Sequence, residues 1–496
     1  MELGNTSARL ANTAARSAPE VPTNPPSYGL KSESLTSAQT LAQSVAVIAP
    51  SAAPAMTIPL VFGLSGDGCA MAYLIATLGV LLVALNVNQF ARMSASPGSL
   101  YTYIADHMHL RWGVLAGWAL TIAYVGTAAS VSAGVVNYTN VILRDTLGVQ
   151  VFPVLLTTLL AAIAGYLAYR DVQISARLML WLQAGSVVLI SVIAVAVIAK
   201  HGWRPDLAQL TLRGVTPEKL RLGLVLAIFS LVGFESATSL GSEARNPLVN
   251  IPRAVKWSAI LAGLFFFLCA YAEVLAFRGE GQRLNQSSAP LHVLTHQIGL
   301  PPLVGTLTDL GAVVTFFSCF LGCITAAARV LFLMSRHGAL HSVFGEAHEE
   351  NQTPHRAVLW STIAAFVPAA ILMLRGMNLF DIYGLLGALA TFGFVSAYIL
   401  VSVAAPLYLR SLGRLTAGPV AVSILAILAM SVALLGNLYP VPKAPYSYLP
   451  YLYVLLLAAG FGWSVMWHGR SLALAPETAA DLGAVPNENR VIGNSV

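Results

Sequence analysis

Charged residues are scarce in this sequence. Asp, Glu, Lys and Arg make up only 10% of the 496 residues, whereas hydrophobic residues make up 57% and the mean hydropathy is +0.73. Soluble domains carry about 25% charged residues, so this composition excludes an ordinary soluble protein. The net charge of +6 does not indicate a nucleic acid partner, because the Lys and Arg are read first as signals of membrane topology.

Cysteine is also rare. The four cysteines, Cys69, Cys269, Cys319 and Cys323, lie in or beside apolar segments. Their spacing fits neither a zinc site with matching histidines nor a disulfide framework. We therefore expect no metal site and no cofactor.

A long soluble region is missing as well. The polar ends, 1–39 and 471–496, are rich in Ser, Ala, Asn, Thr and Pro, and we expect both to be disordered tails on the cytoplasmic side. The first has no basic start followed by a short apolar core, so we expect no cleaved signal peptide. Without a catalytic or nucleotide-binding domain, neither an enzyme nor an ATP-driven pump is expected.

Long apolar runs, in contrast, fill the chain. A membrane-spanning helix needs about 20 apolar residues, and about twelve such runs predict an all-α, multi-pass protein of the cell membrane. An even number of spans puts both termini on one side, and since most Lys and Arg then lie on that side, we expect both termini to be cytoplasmic. The predicted spans are 41–62, 69–91, 113–142, 152–169, 178–199, 222–241, 256–277, 305–334, 357–374, 380–409, 417–438 and 447–468.

Span one is interrupted by prolines. Pro50 and Pro54 lie within APSAAPA at 49–55, and each removes a backbone donor and disturbs the preceding turn. The backbone there is therefore predicted to be partly unwound. In a membrane, unwound backbone survives only where protein encloses it or it lines a cavity, and the positive end of the following half-helix suits a carboxylate.

Span six carries a second interruption. Gly233 lies inside the apolar run and is followed by Glu235, an ionisable residue that is costly at membrane depth and indicates a functional site by default. Spans one and six are five spans apart. Interruptions at corresponding positions of two five-helix sets are typical of an inverted repeat with a midplane site between the breaks.

At these residues the chain resembles the amino acid, polyamine and organocation permeases. The resemblance implies the leucine-transporter-like fold, a five-plus-five inverted repeat with broken helices one and six, over 40–410, with two accessory spans in 411–470. One departure is that APSAAPA stands where many members have a glycine-rich break. The motifs that carry the resemblance are GFES at 233–236, EARNP at 243–247, NIPRA at 250–254, SPGSLYTY at 96–103 with Gly117 and Trp118, and AARVLFLMSRHG at 327–338 with Thr353 and Pro354.

The breaks and the resemblance together imply an amino acid site. Backbone N–H groups in span one and the Ser51 hydroxyl would bind the substrate carboxylate, and carbonyls in span six would accept from its ammonium group. Phe229 corresponds to an aromatic gate and Tyr124 to a residue that faces the cavity, although ordinary packing explains either ring equally well; Tyr383 and Phe392 are weaker candidates. The implied substrate-binding residues are Ser51, Ala52, Ala53, Ala55, Phe229, Ser230, Val232, Gly233 and Tyr124, and the helix-break residues are Pro50, Pro54 and Gly233.

Glu235 has two interpretations. As a proton-coupling residue it takes up and releases a proton as the cavity opens to either side; as a structural residue it holds the broken helix by hydrogen bonds. Glu273 in span seven is a second acid at depth, and a packing role is favoured for it over a role in a proton relay.

The loop after span six supplies candidates for a cytoplasmic gate. Glu243, Arg245 and Arg253, together with Arg329, have the charges for ion pairs. A solvated, positively charged loop explains the same residues, so both interpretations stay open.

These features predict a secondary active amino acid transporter that works by alternating access, as a proton-coupled symporter or as an exchanger, in a monomer or homodimer. The alternative is a polyamine or organic-cation permease of the same fold. That alternative is disfavoured because multiple ammonium groups call for several acids, and the central spans offer Glu235 and Glu273. A membrane sensor is disfavoured because it would need a soluble signalling domain. A channel is disfavoured because the paired helix breaks would have no use in it and the sequence shows no rings of charge to line a pore.

Overall fold

The computed structural model describes residues 35–96, 98–170, 173–212, 215–241, 243–278, 283–436, 438–439 and 441–468. Regular structure within these ranges is helical, apart from one isolated backbone bridge between Leu35 and Ala244. The prediction of an all-α membrane protein is confirmed. Residues 1–34 and 471–496 of the two predicted tails lie outside the described residues.

Eleven apolar helical stretches within the described ranges are long enough to cross a membrane. The first, Ser37–Ala91, contains both span one and span two, so the twelve predicted spans correspond to these eleven stretches. Span one consists of Ser37–Ile48 and Ile58–Ser65, and the later spans are Cys69–Ala91, Leu110–Leu147, Pro153–Arg170, Gln173–Lys200, Pro217–Leu240, Pro247–Ala276, Pro302–Arg336, His355–Leu374, Leu379–Ser411, Ala417–Gly436 and Leu449–His468.

Shorter helices connect some of the spans. They are Leu100–His107, Leu207–Thr211 and Pro290–Gln297. Because successive spans run in opposite directions, their ends form two faces of the bundle. We call the end that holds Ser37 the N-terminal face, and the other end the opposite face.

Burial divides the spans into a central and a peripheral set. In span three 89% of the apolar window is buried and in span six 83%, whereas spans four and eleven each bury only 22%. Spans three and six therefore lie at the centre of the bundle. The accessory spans lie at the edge, where Trp118 of span three donates a hydrogen bond from its indole N–H to the Ser464 hydroxyl of span twelve (2.9 Å).

Small residues allow the central spans to approach one another closely. A Cβ atom built on Gly393 of span ten would lie 2.3 Å from the carbonyl oxygen of Ala119 in span three. A Cβ atom on Gly134 of span three would lie 2.7 Å from the Phe316 ring of span eight. Membrane helices associate through such close packing, since lipid offers no hydrophobic drive.

Span one breaks where the prolines stand. Its first half ends at Ile48, and Ala49 has the left-handed backbone angle φ of 52°. After a tight turn, residues Ala53–Thr57 form a wide π-helical turn, which the Ile58 amide closes by donating to the Ala53 carbonyl. Pro54 lies in this turn and lacks an N–H group, so the ordinary helical ladder is not restored until the second half begins.

Span six breaks at a glycine. Its first half ends at Leu231, Val232 is extended, and Gly233 has φ of 93°, after which Phe234–Leu240 form a 3-10 helix. A side chain at Gly233 would be strained by this φ, and its Cβ would lie 2.3 Å from Val47 Cγ1 of span one. The second break therefore lies directly against the first half of span one.

The four half-helices pair crosswise. Ser44 of span one donates its hydroxyl to the Phe234 carbonyl (2.7 Å) and accepts from the Ala237 amide (3.2 Å). At the other end, a Cβ atom on Gly223 of span six would lie 2.7 Å from Ser65 Cβ of span one. The first half of span one is thus bound to the second half of span six, and the second half of span one to the first half of span six.

The close contact at Gly393 leads to a prediction about stability. Gly393→Ala should lower the apparent melting temperature in detergent by several degrees, because overpacking against main chain costs about 1–3 kcal/mol. Gly185→Ala in span five is the matched control, since nothing lies within 4 Å of a Cβ atom there and alanine favours a helix over glycine by about 1 kcal/mol. Equal melting temperatures for the two variants would show that the contact between spans three and ten is looser than described.

Candidate functional site

The break in span one is buried, and part of its hydrogen-bonding capacity is in use. The Ala52 amide donates to the Ala49 carbonyl (2.9 Å) and the Ala55 amide to the Ser51 carbonyl (3.2 Å). The Ser51 hydroxyl lies 2.9 Å from that of Ser186 in span five. Among the predicted carboxylate ligands, Ala52 and Ala55 would therefore have to exchange an internal bond for the substrate, and Pro54 has no N–H group to offer.

Carbonyl groups at the break in span six lose their helical partners. In a continuing helix the Phe229 carbonyl would accept from the amide of Gly233, but that amide donates to Glu235 Oε2 (3.1 Å). The Val232 carbonyl would accept from the Ser236 amide, which instead donates to the Gly233 carbonyl (2.9 Å). The predicted ammonium acceptors Phe229 and Val232 thus stand at the point where the ladder is interrupted.

Ser230, the third predicted acceptor, is held from span two. Its hydroxyl lies 3.0 Å from the Tyr73 hydroxyl, and both residues are buried. This contact fixes the last turn of the first half of span six.

Glu235 is the centre of a hydrogen-bond cluster that joins three spans. Oε1 accepts from the Tyr124 hydroxyl of span three (2.8 Å), and Oε2 accepts from the Tyr398 hydroxyl of span ten (2.6 Å) and from the Gly233 amide. The residue is fully buried. Tyr124, predicted to face the cavity, is thus engaged with Glu235, and the carboxyl group holds the strained turn at Gly233 in place.

An aromatic cluster lies toward the opposite face. The Phe229 ring meets the Tyr383 ring edge to face with centroids 5.8 Å apart, and Tyr383 meets Phe316 in the same way at 5.9 Å. The Tyr383 hydroxyl lies 2.7 Å from the Thr57 hydroxyl at the break in span one. Phe392, in contrast, stacks on Tyr453 of span twelve at 5.6 Å, so its ring packs against an accessory span.

A second tyrosine secures the break in span one from span three. The Tyr138 hydroxyl donates to the Ala55 carbonyl (2.8 Å), and its ring packs beside Phe316 with centroids 6.0 Å apart. Neither Tyr138 nor Tyr398 was among the predicted site residues. A tyrosine inside an otherwise apolar span was the available signal, because a buried hydroxyl needs a partner.

An ion pair lies toward the N-terminal face. Arg329 of span eight donates from Nη2 to both carboxylate oxygens of Glu243 (2.8 Å each) and from Nε to Oε1 (3.1 Å). Each side chain is only 9% exposed. This forked geometry is the stronger kind of Arg–carboxylate contact.

The other two predicted gate residues lie differently. The Arg245 amide donates to the Leu35 carbonyl (2.8 Å), and the Leu35 amide donates to the Glu243 carbonyl (2.9 Å). Arg253 is exposed and takes part in no ion pair among the described residues. The start of the described chain is therefore bound across the loop that carries Glu243.

Comparison with known proteins agrees with this architecture. A family model described as amino acid permease matches residues 57–473. The chain is 24% identical over 363 residues to the branched-chain amino acid permease BcaP of Bacillus subtilis (strain 168), a match that covers 68% of this chain and 73% of that protein. It is 23% identical over 353 residues to the low-affinity putrescine importer PlaP of Escherichia coli (strain K12), which covers 69% and 75%.

A solved structure shares the fold. The crystal structure of MhsT in complex with L-phenylalanine superposes with a TM-score of 0.57 at 14% identity, covering 82% of this chain and 99% of that one. The predicted leucine-transporter-like fold, with helices one and six broken, is thereby confirmed. The family match covers more than half of the chain and includes the motifs at the break in span six, so this chain belongs to the amino acid permease family of the amino acid, polyamine and organocation superfamily.

Proposed function

We propose that this protein is a secondary transporter that moves an amino acid across the cell membrane by alternating access. The observation that carries the proposal is the close approach of the break in span six, at Gly233, to Val47 in the last helical turn before the break in span one. The Phe229 and Val232 carbonyls are released from the helical ladder at this point. A midplane site between two broken helices is the usual arrangement of such transporters.

The two charged ends of an amino acid match the two breaks. The amides near Ser51 and Ala53, at the start of the π-helical turn that leads into the second half of span one, suit a carboxylate because helix N-termini carry partial positive charge. The carbonyls of Phe229 and Val232 lie at the end of a half-helix. They suit an ammonium group because helix C-termini carry partial negative charge. The substrate's backbone would then bridge the breaks.

The surroundings favour a substrate with an uncharged, apolar side chain. Phe229, Phe316 and Tyr383 form the aromatic cluster next to the breaks. The relative BcaP is named as a branched-chain amino acid permease, which agrees with such a lining. A large apolar side chain gains about 1.5–3 kcal/mol from full burial.

The alternative is a polyamine permease, because PlaP is named as a putrescine importer. A diamine needs acids that are available to two ammonium groups. Glu235 already accepts three hydrogen bonds from protein donors, and a fourth partner would have to displace one of them. The amino acid proposal therefore fits the site better.

The aromatic cluster and the ion pair give the site two closures. We propose that the N-terminal face is cytoplasmic, as the distribution of Lys and Arg predicts, so that the pair Glu243–Arg329 closes the site toward the cytoplasm and the cluster around Phe229 closes it toward the outside. Both termini are then cytoplasmic. Coupling by proton symport and by amino acid exchange are both compatible with these closures.

Counterflow in proteoliposomes tests the substrate. Vesicles loaded with unlabelled leucine, isoleucine, valine or phenylalanine should take up the labelled amino acid transiently, and putrescine should neither exchange nor compete. Transient uptake of putrescine without exchange of any common amino acid would establish the polyamine alternative instead.

Two glycine variants provide the control for that assay. Gly233→Ala should abolish counterflow, because its Cβ atom would collide with Val47 in a left-handed backbone conformation. Gly413→Ala introduces the same substitution at φ of 67° with nothing within 4 Å, so it should retain counterflow. Equal loss in both variants would mean that backbone strain alone explains the effect.

Glu235→Gln tests the structural interpretation of Glu235. Glutamine offers one carbonyl oxygen to three donors and turns an N–H group toward them, so the apparent melting temperature should fall while the pH dependence of uptake keeps its shape. Tyr398→Phe removes one of the donors without changing charge and should lower the melting temperature too. A flat pH profile in a Glu235→Gln protein of normal stability would identify Glu235 as the proton carrier.

Glu243→Gln tests the cytoplasmic closure. Breaking a buried ion pair costs about 3–5 kcal/mol, so the variant should open toward the N-terminal face. The reporter is Cys319, whose Sγ donates to the Val47 carbonyl of span one (3.2 Å). A maleimide should label Cys319 at least several-fold faster in the variant, and mass spectrometry locates the label. Cys69 and Cys269, which are also buried, should stay slow.

The matched control is Glu346→Gln. This substitution removes the ion pair between Glu346 and Arg356, whose side chains are 53% and 45% exposed, respectively. Exposed pairs of this kind contribute about 0–1 kcal/mol to stability. Labelling of Cys319 should be unchanged. If both variants label equally, the pair Glu243–Arg329 does not hold the site closed.

A further inference from the structure

Glu273 is a buried acid that the proposed substrate site does not use. It lies in the last turns of span seven and is 1% exposed. Neither carboxyl oxygen has a hydrogen-bond partner among the described residues. A carboxylate that is both desolvated and unpaired is strongly disfavoured, so the buried side chain carries a proton.

The neighbours of Glu273 connect it to both helix breaks. Span two packs along span seven in the opposite direction, with the Tyr73 and Phe266 rings 5.8 Å apart, so Tyr73 and Cys69 lie toward the end of span seven that holds Glu273. Tyr138 of span three interacts electrostatically with the same carboxyl group. Cys69 Sγ donates to the Ile58 carbonyl of span one (3.8 Å), the Tyr73 hydroxyl lies 3.0 Å from that of Ser230, and Tyr138 donates to the Ala55 carbonyl (2.8 Å). All three neighbours therefore hold part of a broken helix.

Glu273 also lies close to the opposite face. Its carbonyl accepts from the Phe277 amide (3.1 Å), and the next residue, Arg278, pairs with Asp67 and Asp206 at 2.7 Å each. The Arg278 side chain is 40% exposed. The partly exposed Arg278 is thus five positions after Glu273 along the chain, and the Tyr73 and Ser230 hydroxyls lie 3.0 Å apart beside the first half of span six.

Other titratable groups near this end of span seven are accounted for. Cys269 lies one turn earlier on the same helix. The Tyr271 hydroxyl accepts from the Asp206 amide, and Lys200 of span five donates to the Gln297 carbonyl. His292 pairs with Asp309, and His296 is exposed. None of the contacts of these groups joins a cation to Glu273, neither of whose carboxyl oxygens has a hydrogen-bond partner among the described residues.

A proton fits this environment better than a metal cation does. Sodium or a divalent cation would need several oxygen ligands around the carboxylate, whereas the neighbours are two thiols and two tyrosines. No cluster of His, Cys, Asp or Glu in the described part of the chain is suited to a metal ion. A proton needs only the carboxyl group itself.

We propose that Glu273 is the proton-binding site that couples substrate movement to the proton gradient. This inference rests on the proposed function as an amino acid transporter. A proton binds to the Glu273 carboxylate from the opposite face, neutralises it and permits its burial, and Cys69, Tyr73 and Tyr138 transmit that state to the breaks. The same proton leaves when the site opens toward the N-terminal face, so one proton and one amino acid move together.

Glu273→Gln separates coupling from substrate binding. Counterflow needs no net proton movement, so the variant should retain it within about twofold of the unmodified protein. A gradient of one pH unit can drive up to about tenfold accumulation when one proton moves with each substrate. The unmodified protein should approach that ratio, whereas Glu273→Gln should only equilibrate the substrate. Asp381→Asn, which changes an exposed acid at the start of span ten, is the control and should still accumulate it.

The outcomes are distinguishable. If the unmodified protein shows no counterflow with any amino acid, the proposed function fails, and this inference fails with it. If counterflow is normal but the pH gradient drives no accumulation, or if Glu273→Gln accumulates substrate like the unmodified protein, the role of Glu273 is overturned while the proposed function stands.

Chemical modification tests the same residue without a substitution. Dicyclohexylcarbodiimide reacts with protonated carboxyl groups in apolar surroundings, so in the unmodified protein it should label Glu273 and reduce pH-driven accumulation in parallel. Labelling should weaken as the pH is raised. Loss of accumulation without label on the peptide that contains Glu273 would overturn the proposal, even if Glu273→Gln does not fold.

Discussion

The close approach of Gly233 to Val47 is the constraint on which the centre of this protein depends. Backbone groups that leave a helix inside a membrane must be enclosed by protein, and here the break in span six lies against the first half of span one. The contact requires a residue without a side chain at a left-handed backbone angle. Ser44 then completes the junction by bonding to both Phe234 and Ala237, so the two interruptions form one unit.

Tyrosine hydroxyls carry much of the remaining polar contact around this unit. Tyr73, Tyr124, Tyr138 and Tyr398 each come from an unbroken span and each bond to span one or span six. A phenol can satisfy a buried carbonyl or carboxylate without bringing a charge into the membrane. The intact spans thus hold the broken ones by neutral bonds, and the ion pair Glu243–Arg329 lies at one end.

The sequence alone predicted the features that depend on local chemistry. Prolines at 50 and 54 and the glycine at 233 located the two breaks, since their effects on the backbone act within a few residues. Partners across the bundle could not be predicted in the same way: the pairing of Glu235 with Tyr398, or of Ser51 with Ser186, depends on how separate helices are rotated against one another. Glu243 and Arg329 could be predicted as possible partners because their charges are opposite. Hydroxyl groups carry no charge, so the sequence does not indicate which groups they bond to.

The backbone bridge at Leu35 has a consequence for sequence variation. Its two hydrogen bonds use the amides of Leu35 and Arg245 and the carbonyls of Glu243 and Leu35, all of them main-chain groups. The attachment of Leu35 beside the ion pair Glu243–Arg329 therefore does not require particular side chains at these donor positions. Most residues would preserve it there, and proline, which has no amide hydrogen, would remove one of its bonds at either position.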